Sequence, residues 1–205
     1  MAPTIRELIR RNRHAWRIAV ENPMVASVLD GTLEEERLAR WIVPARARLE
    51  NLFPFLCRLL AMAPGPDRGV LLEVLRALAA ELRWIDGWME RRGLDPGIPV
   101  NLVVRSQMSH HATLAFRPYV VGLVAFLVDF RIYADAWSQT MPASGPHREL
   151  IRHWAQVAAL EWPGRVERAA DRALAAATPE EIAEVEGEVQ RVIQDRLSFW
   201  TMMLG

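Results

Sequence analysis

The sequence contains no lysine; all 25 of its basic residues are arginine. Schiff-base chemistry and a lysine general base are therefore excluded. A single cysteine, Cys57, rules out an internal disulfide framework and fits a reducing compartment. Neither sign of charge is in excess, with 25 basic against 25 acidic residues, which leaves no electrostatic case for nucleic acid or an anionic membrane surface. No apolar run approaches the ~18 residues that cross a bilayer. The opening stretch, Met1-Ala2-Pro3-Thr4-Ile5-Arg6-Glu7, has no apolar signal core, so a cytoplasmic protein is expected. Glycine-rich phosphate loops and the G-x-S-x-G nucleophile pattern are missing. So is the Glu-x-x-His pair that bundle metal sites use: Glu81 is followed by Trp84 and Glu50 by Phe53. No metal site and no cofactor are expected.

What is present is a 205-residue chain, 51% apolar, long enough for one domain with a substantial core. Every long segment has helical periodicity and none alternates with period two. The pattern predicts helices over about 4–20, a short one ending at Asp30-Gly31, one opened by the capping-box pattern Thr32-Leu33-Glu34-Glu35, and one over about 67–92 closed by Gly93. The stretch 94–111 reads as an irregular connection, 142–146 as a tight loop, and the helix from His147 as interrupted at Pro163-Gly164. Thr178-Pro179-Glu180-Glu181 opens a last helix running nearly to Gly205. The expected architecture is a single all-α helical bundle spanning 1–205.

The chain is organised around the helix-length run 118–141. Val120 to Val128 is apolar apart from Gly122, as in a helix buried on every side. Helical spacing puts Phe126, Asp129, Tyr133 and Trp137 on one face, with Phe130 beside them. A carboxylate there is costly unless it is paired. Three other helices also carry one charge on an otherwise apolar face: Arg48 among Trp41, Ala45, Leu52 and Phe55; Glu81 among Val74, Leu78, Ile85 and Trp88; Arg196 among Val189, Ile193 and Trp200. Convergence of such groups is how bundles build small-molecule sites. Each arginine alone has a plainer reading, since its stem can be buried while its head reaches water. His110-His111 reads as a solvated loop pair and His153 as a satisfied core or surface histidine.

The segment Asn22-Pro23-Met24-Val25-Ala26-Ser27-Val28-Leu29-Asp30-Gly31-Thr32-Leu33 resembles the His-Pro-Phe-Val-x-x-Leu-x-Asp-Gly-Thr-Leu pattern of the TenA / thiaminase II family. Glu36-Arg37, Arg40-Trp41, the run Ala112 to Phe116, Tyr133 and Phe199-Trp200 also have counterparts there. The resemblance covers nearly the whole chain and implies a heme-oxygenase-like fold, thiamin salvage and hydrolysis of aminopyrimidines or thiamin, usually in a homotetramer. The family's catalytic positions do not match. Its pyrimidine-gripping aspartate falls at Ala45, a tyrosine at Arg48, its cysteine nucleophile at Asp129, pocket tyrosines at Phe116 and Trp154, and its C-terminal glutamate at Arg196.

The combined expectation is a homodimer or homotetramer that binds a small planar ligand in a bundle-core pocket, with ordinary thiaminase activity doubtful. Asp129, Arg196 and Glu81 are the candidates for chemistry; Ala45, Arg48, Phe116, Tyr133, Trp137, Trp154 and Trp200 are the candidates for binding. An anionic group on the ligand would suit the arginines. The alternatives are a heme-oxygenase-like oxidase, an enzyme similar to pyrroloquinoline-quinone synthase, and a non-catalytic pseudoenzyme. Asp129 and Arg196 are expected across one cavity, in direct or one-water contact, with Arg48 on the same wall.

Overall fold

A computed structural model describes residues 2–97, 100–141, 147–156 and 160–202. Among these the chain forms ten α-helices and no strand: α1 (Ile5–Arg11), α2 (Arg13–Val20), α3 (Pro23–Leu29), α4 (Glu35–Met62), α5 (Gly65–Glu90), α6 (Leu102–Leu114), α7 (Tyr119–Ser138), α8 (Arg148–Ala155), α9 (Trp162–Ala176) and α10 (Pro179–Thr201). None of these helices is long and apolar enough to cross a membrane. The loop expected at 142–146 and the residues after 202 lie outside the described residues.

Local signals account for most boundaries. Thr4 with Glu7 and Thr178 with Glu181 form reciprocal capping boxes, and Asn22 caps α3 with Pro23 at its first turn. Gly31 and Gly93 take positive φ of 69° and 64°, and the amides beyond them turn back to Ser27 and Met89. These are left-handed helix stops that a side chain would strain.

Four expectations are corrected. The first helix breaks at Asn12, whose side-chain amide donates to the Leu8 carbonyl at 2.9 Å and competes with the helical ladder. The capping box at Thr32 does not form, because the Thr32 and Leu33 amides both donate to the Ser27 carbonyl in the preceding turn; Glu34 becomes the N-cap. Pro163 opens α9 instead of interrupting a helix, as proline in a first turn should. The expected irregular connection over 94–111 contains α6, capped by Asn101, whose side chain accepts from the Val104 amide.

α7 is buried on almost every face, with α10, α9, α2 and α8 packed around it. Its partly exposed polar stripe is narrow: Arg131 donates to Glu167 at 3.2 Å and Asp135 accepts from Trp16 at 3.1 Å. Gly122 marks where α4 passes closest: a Cβ there would lie 3.2 Å from Leu59 Cδ1 and 3.4 Å from Phe55 Cε2. The long α4 carries Pro44 and Pro54 in its interior. Each removes one backbone bond at a cost of about 3 kcal/mol, which burial of Leu38, Trp41, Leu52, Phe55, Leu56 and Leu59 offsets.

The core has two parts. One surrounds the first half of α7 with aliphatic residues of α4, α5, α9 and α10. The other gathers Trp41, Trp88, Trp137, Trp154, Phe199 and Trp200 around its far end. Residues of both parts line one cavity at their seam. Gly122→Leu should push α4 from α7 and cost ~1–3 kcal/mol of stability, measured by urea unfolding.

Candidate functional site

The cavity has a volume of about 120 Å³. Its walls are mainly apolar, from Trp41, Leu52, Leu78, Phe126, Trp162 and Phe199. The polar groups reaching it are Arg48, Glu81, Asp129, Tyr133 and Arg196. Ala45 lies one helical turn beyond Trp41 on α4, and its small side chain leaves open space between the aromatic walls.

Asp129 sits between two guanidinium groups. Arg196 donates from Nε to Oδ1 at 3.0 Å, and its Nη2 lies 2.6 Å from Oδ2. Arg48 donates from Nη2 to Oδ1 at 2.8 Å and from Nε to Gln107 Oε1 at 2.8 Å. Arg48 and Arg196 are each 4% exposed and Asp129 8%. Burial alone would raise the Asp129 pKa, but Arg196 and then Arg48 overcome it and hold the carboxyl well below its usual range. Burial also draws Arg196 down, against Asp129, to about 10, so it stays protonated at neutral pH. The result is a charged cluster with one positive charge in excess.

Glu81 forms a second polar group on the cavity wall. Trp154 Nε1 donates to its Oε1 at 2.9 Å, and His153 Nε2 lies 2.7 Å from Oε2. The His153 ring stacks on Trp84 with centroids 3.6 Å apart. Tyr133 is pushed well above the usual phenol range, first by burial and then by Glu81, with Arg196 opposing.

Behind Asp129 lies a smaller space of about 10 Å³, where Arg48, Gln107, His110, His111 and Asp195 meet apolar residues such as Leu52, Phe55 and Val192. That is about the size of one water molecule. His111 is drawn down to about 3, chiefly by burial and then by Arg48, and is neutral at physiological pH. His110 is the reverse. Its Nδ1 lies 2.8 Å from Asp195 Oδ2 and its Nε2 2.5 Å from Glu188 Oε1. Glu188 thus lies against the second ring nitrogen as a further carboxylate partner. Burial lowers the His110 pKa, but hydrogen bonding to Asp195 and the attraction of Glu188 outweigh it and raise the value to about 9.

Asp129, Arg48, Arg196, Glu81, Ala45, Tyr133 and Trp154 thus all line one cavity, and Asp129 and Arg196 touch directly. Three expected positions do not reach it. Phe116 falls in the turn after α6, 78% exposed, beneath the Arg58 guanidinium 5.4 Å away. Trp137 lies one turn past the end of the cavity, packed on Trp41 and Trp154. Trp200 stacks flat on Trp41, 5.6 Å between centroids, and is not part of the lining. His110 and His111 are buried in α6, not solvated in a loop. Gln107 and His153 were not singled out as site residues; they hold Arg48 and Glu81 from other helices, and their spacing in sequence carries no such signal. Among the described residues, no group of three His, Cys, Asp or Glu is placed to hold a metal ion.

Comparison with known proteins supplies the evolutionary context for this geometry. The model of the TENA/THI-4/PQQC family matches residues 9–205. The chain belongs to this family. It is 21% identical to a probable bifunctional TENA-E protein of soybean (Glycine max), over 96% of this chain and 91% of the relative. The structure of a TenA homologue from Pyrococcus furiosus superposes with a TM-score of 0.91 at 20% identity, covering 97% of this chain and 98% of that one. A TenA-like thiaminase, so described, from Sulfolobus solfataricus gives 0.79 at 15% identity, covering 100% and 97%. The fold is the all-α, heme-oxygenase-like bundle of TenA proteins.

Two outcomes follow. Asp129→Ala leaves two buried guanidinium groups without a counter-charge and should destabilise the protein by ~3–5 kcal/mol, read by chemical denaturation at pH 7. His110 binds its proton more tightly in the folded state. Its contribution is therefore complete below about pH 6.5 and lost as pH rises towards about 9. Stability should fall by about 2–3 kcal/mol across that window in the wild type, and His110→Asn should flatten the profile.

Proposed function

We propose that this TENA/THI-4/PQQC family member binds a small planar ring, related to the thiamin pyrimidine, in the cavity along α7, and that it lacks ordinary thiaminase or aminopyrimidine hydrolase turnover. The observation that carries this is the state of Asp129. Both its oxygens are engaged by Arg48 and Arg196, and a carboxyl with a depressed pKa is a weak base. No cysteine, serine, threonine or lysine is among the residues lining the cavity. Cys57, on the outer side of α4, is exposed. Ala45 presents no polar group with which to grip a pyrimidine.

Apolar aromatic walls with a few convergent polar groups are what a binding pocket needs. A cavity of about 120 Å³ compares with the ~150 Å³ engineered cavity that accepts benzene. Incubation with thiamin or an aminopyrimidine should release neither thiazole nor ammonia, while a ring compound that occupies the cavity raises the melting temperature. Release at ordinary enzymatic rates would return the chain to the hydrolases. Native mass spectrometry of freshly purified protein should find a small molecule retained.

The protein is expected to act as a homo-oligomer, a dimer or tetramer. Leu102 and Phe116 are each 78% exposed and Met141 58%, apolar surface that copies of the chain can cover. Light scattering at micromolar concentration should give a multiple of the chain mass; a stable monomer would rule this out.

A further inference from the structure

The arginine side chains at the cavity are not fully used. Arg48 spends Nε on Gln107 and Nη2 on Asp129. Arg196 spends Nε and Nη2 on the two oxygens of Asp129. Among the described residues, neither Nη1 has a hydrogen-bond partner. Nor is either Nη1 among the polar atoms sealed from all space, as the indole nitrogens of Trp41 and Trp137 are. Both side chains, each 4% exposed, line the cavity. Two buried guanidinium groups on the cavity lining therefore have donors to spare.

Within the cluster of Arg48, Arg196 and Asp129 itself, two guanidinium groups share one carboxylate. Asp129 neutralises one arginine. His111 beside them is neutral, Glu81 lies on the same lining with its oxygens on His153 and Trp154, and Asp195 and Glu188 are both turned to His110 and not to the arginines. The faces of Phe199, Tyr133 and Trp200 lie 5.5–5.8 Å from the guanidinium carbons. Such cation–π contacts stabilise the charge over the ring faces, and they leave the N–H edges without an acceptor. A buried cation with free donors selects an anion.

We propose that the cavity takes a monocyclic aromatic monocarboxylate, with its carboxylate on the free Nη1 edges of Arg48 and Arg196 and its ring between the apolar walls. The proposal rests on the planar-ligand reading above and narrows it; a pyrimidine bearing a carboxylate would satisfy both. A carboxylate fits better than a phosphate monoester, whose charge of about −1.5 to −2 exceeds the single excess charge of the site. The volume limits the ligand to one ring with a small substituent. Glu81 on the same lining disfavours a second anionic group.

Titration with benzoate and with benzamide, which has nearly the same shape without the charge, tests this by calorimetry at pH 7. Benzoate should bind about tenfold or more tightly than benzamide, equivalent to about 1.4 kcal/mol. Arg48→Met, which leaves the Arg196–Asp129 pair intact, should reduce the preference towards parity. Asp129→Asn, which removes the counter-charge, should widen it. Ala45→Trp, which fills the cavity, should abolish binding of both. Equal binding of benzoate and benzamide by the wild type overturns the carboxylate proposal and leaves the planar-ligand reading standing. Binding of neither at millimolar concentration overturns both. A preference that narrows in Asp129→Asn, or benzoate binding that survives Ala45→Trp, also contradicts the proposal. If Arg48→Met does not fold, the wild-type ratio and the Asp129→Asn variant still decide it.

Discussion

The burial of Asp129 is the constraint on which the rest of the structure depends. It lies in a helix that is apolar on nearly every side, so no rotation of α7 could bring it to water. A carboxylate in that position survives only if other helices deliver cations to it. α4 delivers Arg48 and α10 delivers Arg196, while α6 supplies Gln107, which accepts from Arg48 and in turn donates to the Asp195 carbonyl. Four helices thereby meet at one point, a constraint on how they are arranged and not a source of net stability.

The aromatic packing explains why a cavity persists beside those charges. Trp41 contacts Trp137, Trp154, Phe199 and Trp200, in stacked and edge-on arrangements. Large rings held by one another cannot collapse into a neighbouring gap as aliphatic side chains partly can. The small side chain of Ala45 leaves the gap, and the rings keep it open. Charged groups and apolar walls then meet in one enclosed space. That juxtaposition makes a binding site chemically intelligible.

Much of this was legible in the amino-acid order, because the strongest signals were violations of pattern. Asp129, Arg48, Glu81 and Arg196 each interrupt an apolar helical stripe, and each interruption proved to be a group facing the cavity. Helix ends with glycine, proline or a capping threonine were legible for the same reason: backbone chemistry is local. α6 was not. It lacks a clear apolar stripe because its buried face carries Gln107, His110 and His111, polar residues satisfied by α4 and α10. Trp137 and Phe116 show the other limit. A helical wheel gives the direction of Trp137 but not where along α7 the cavity ends, and alignment places Phe116 without showing that its turn faces outward. The partners Gln107 and His153 depend on contacts across the bundle, which spacing within one helix does not encode.

A charge cluster kept for a ligand need not add net stability to the fold. The most direct measurement is urea unfolding of the triple variant Arg48→Met, Asp129→Leu, Arg196→Met beside the single variant Asp129→Leu. The single variant strands two buried cations and should lose ~3–5 kcal/mol, whereas the triple variant, with apolar side chains of similar volume, should match or exceed the wild type. If the triple variant is as unstable as the single one, the cluster is a structural fastening and the binding account is contradicted.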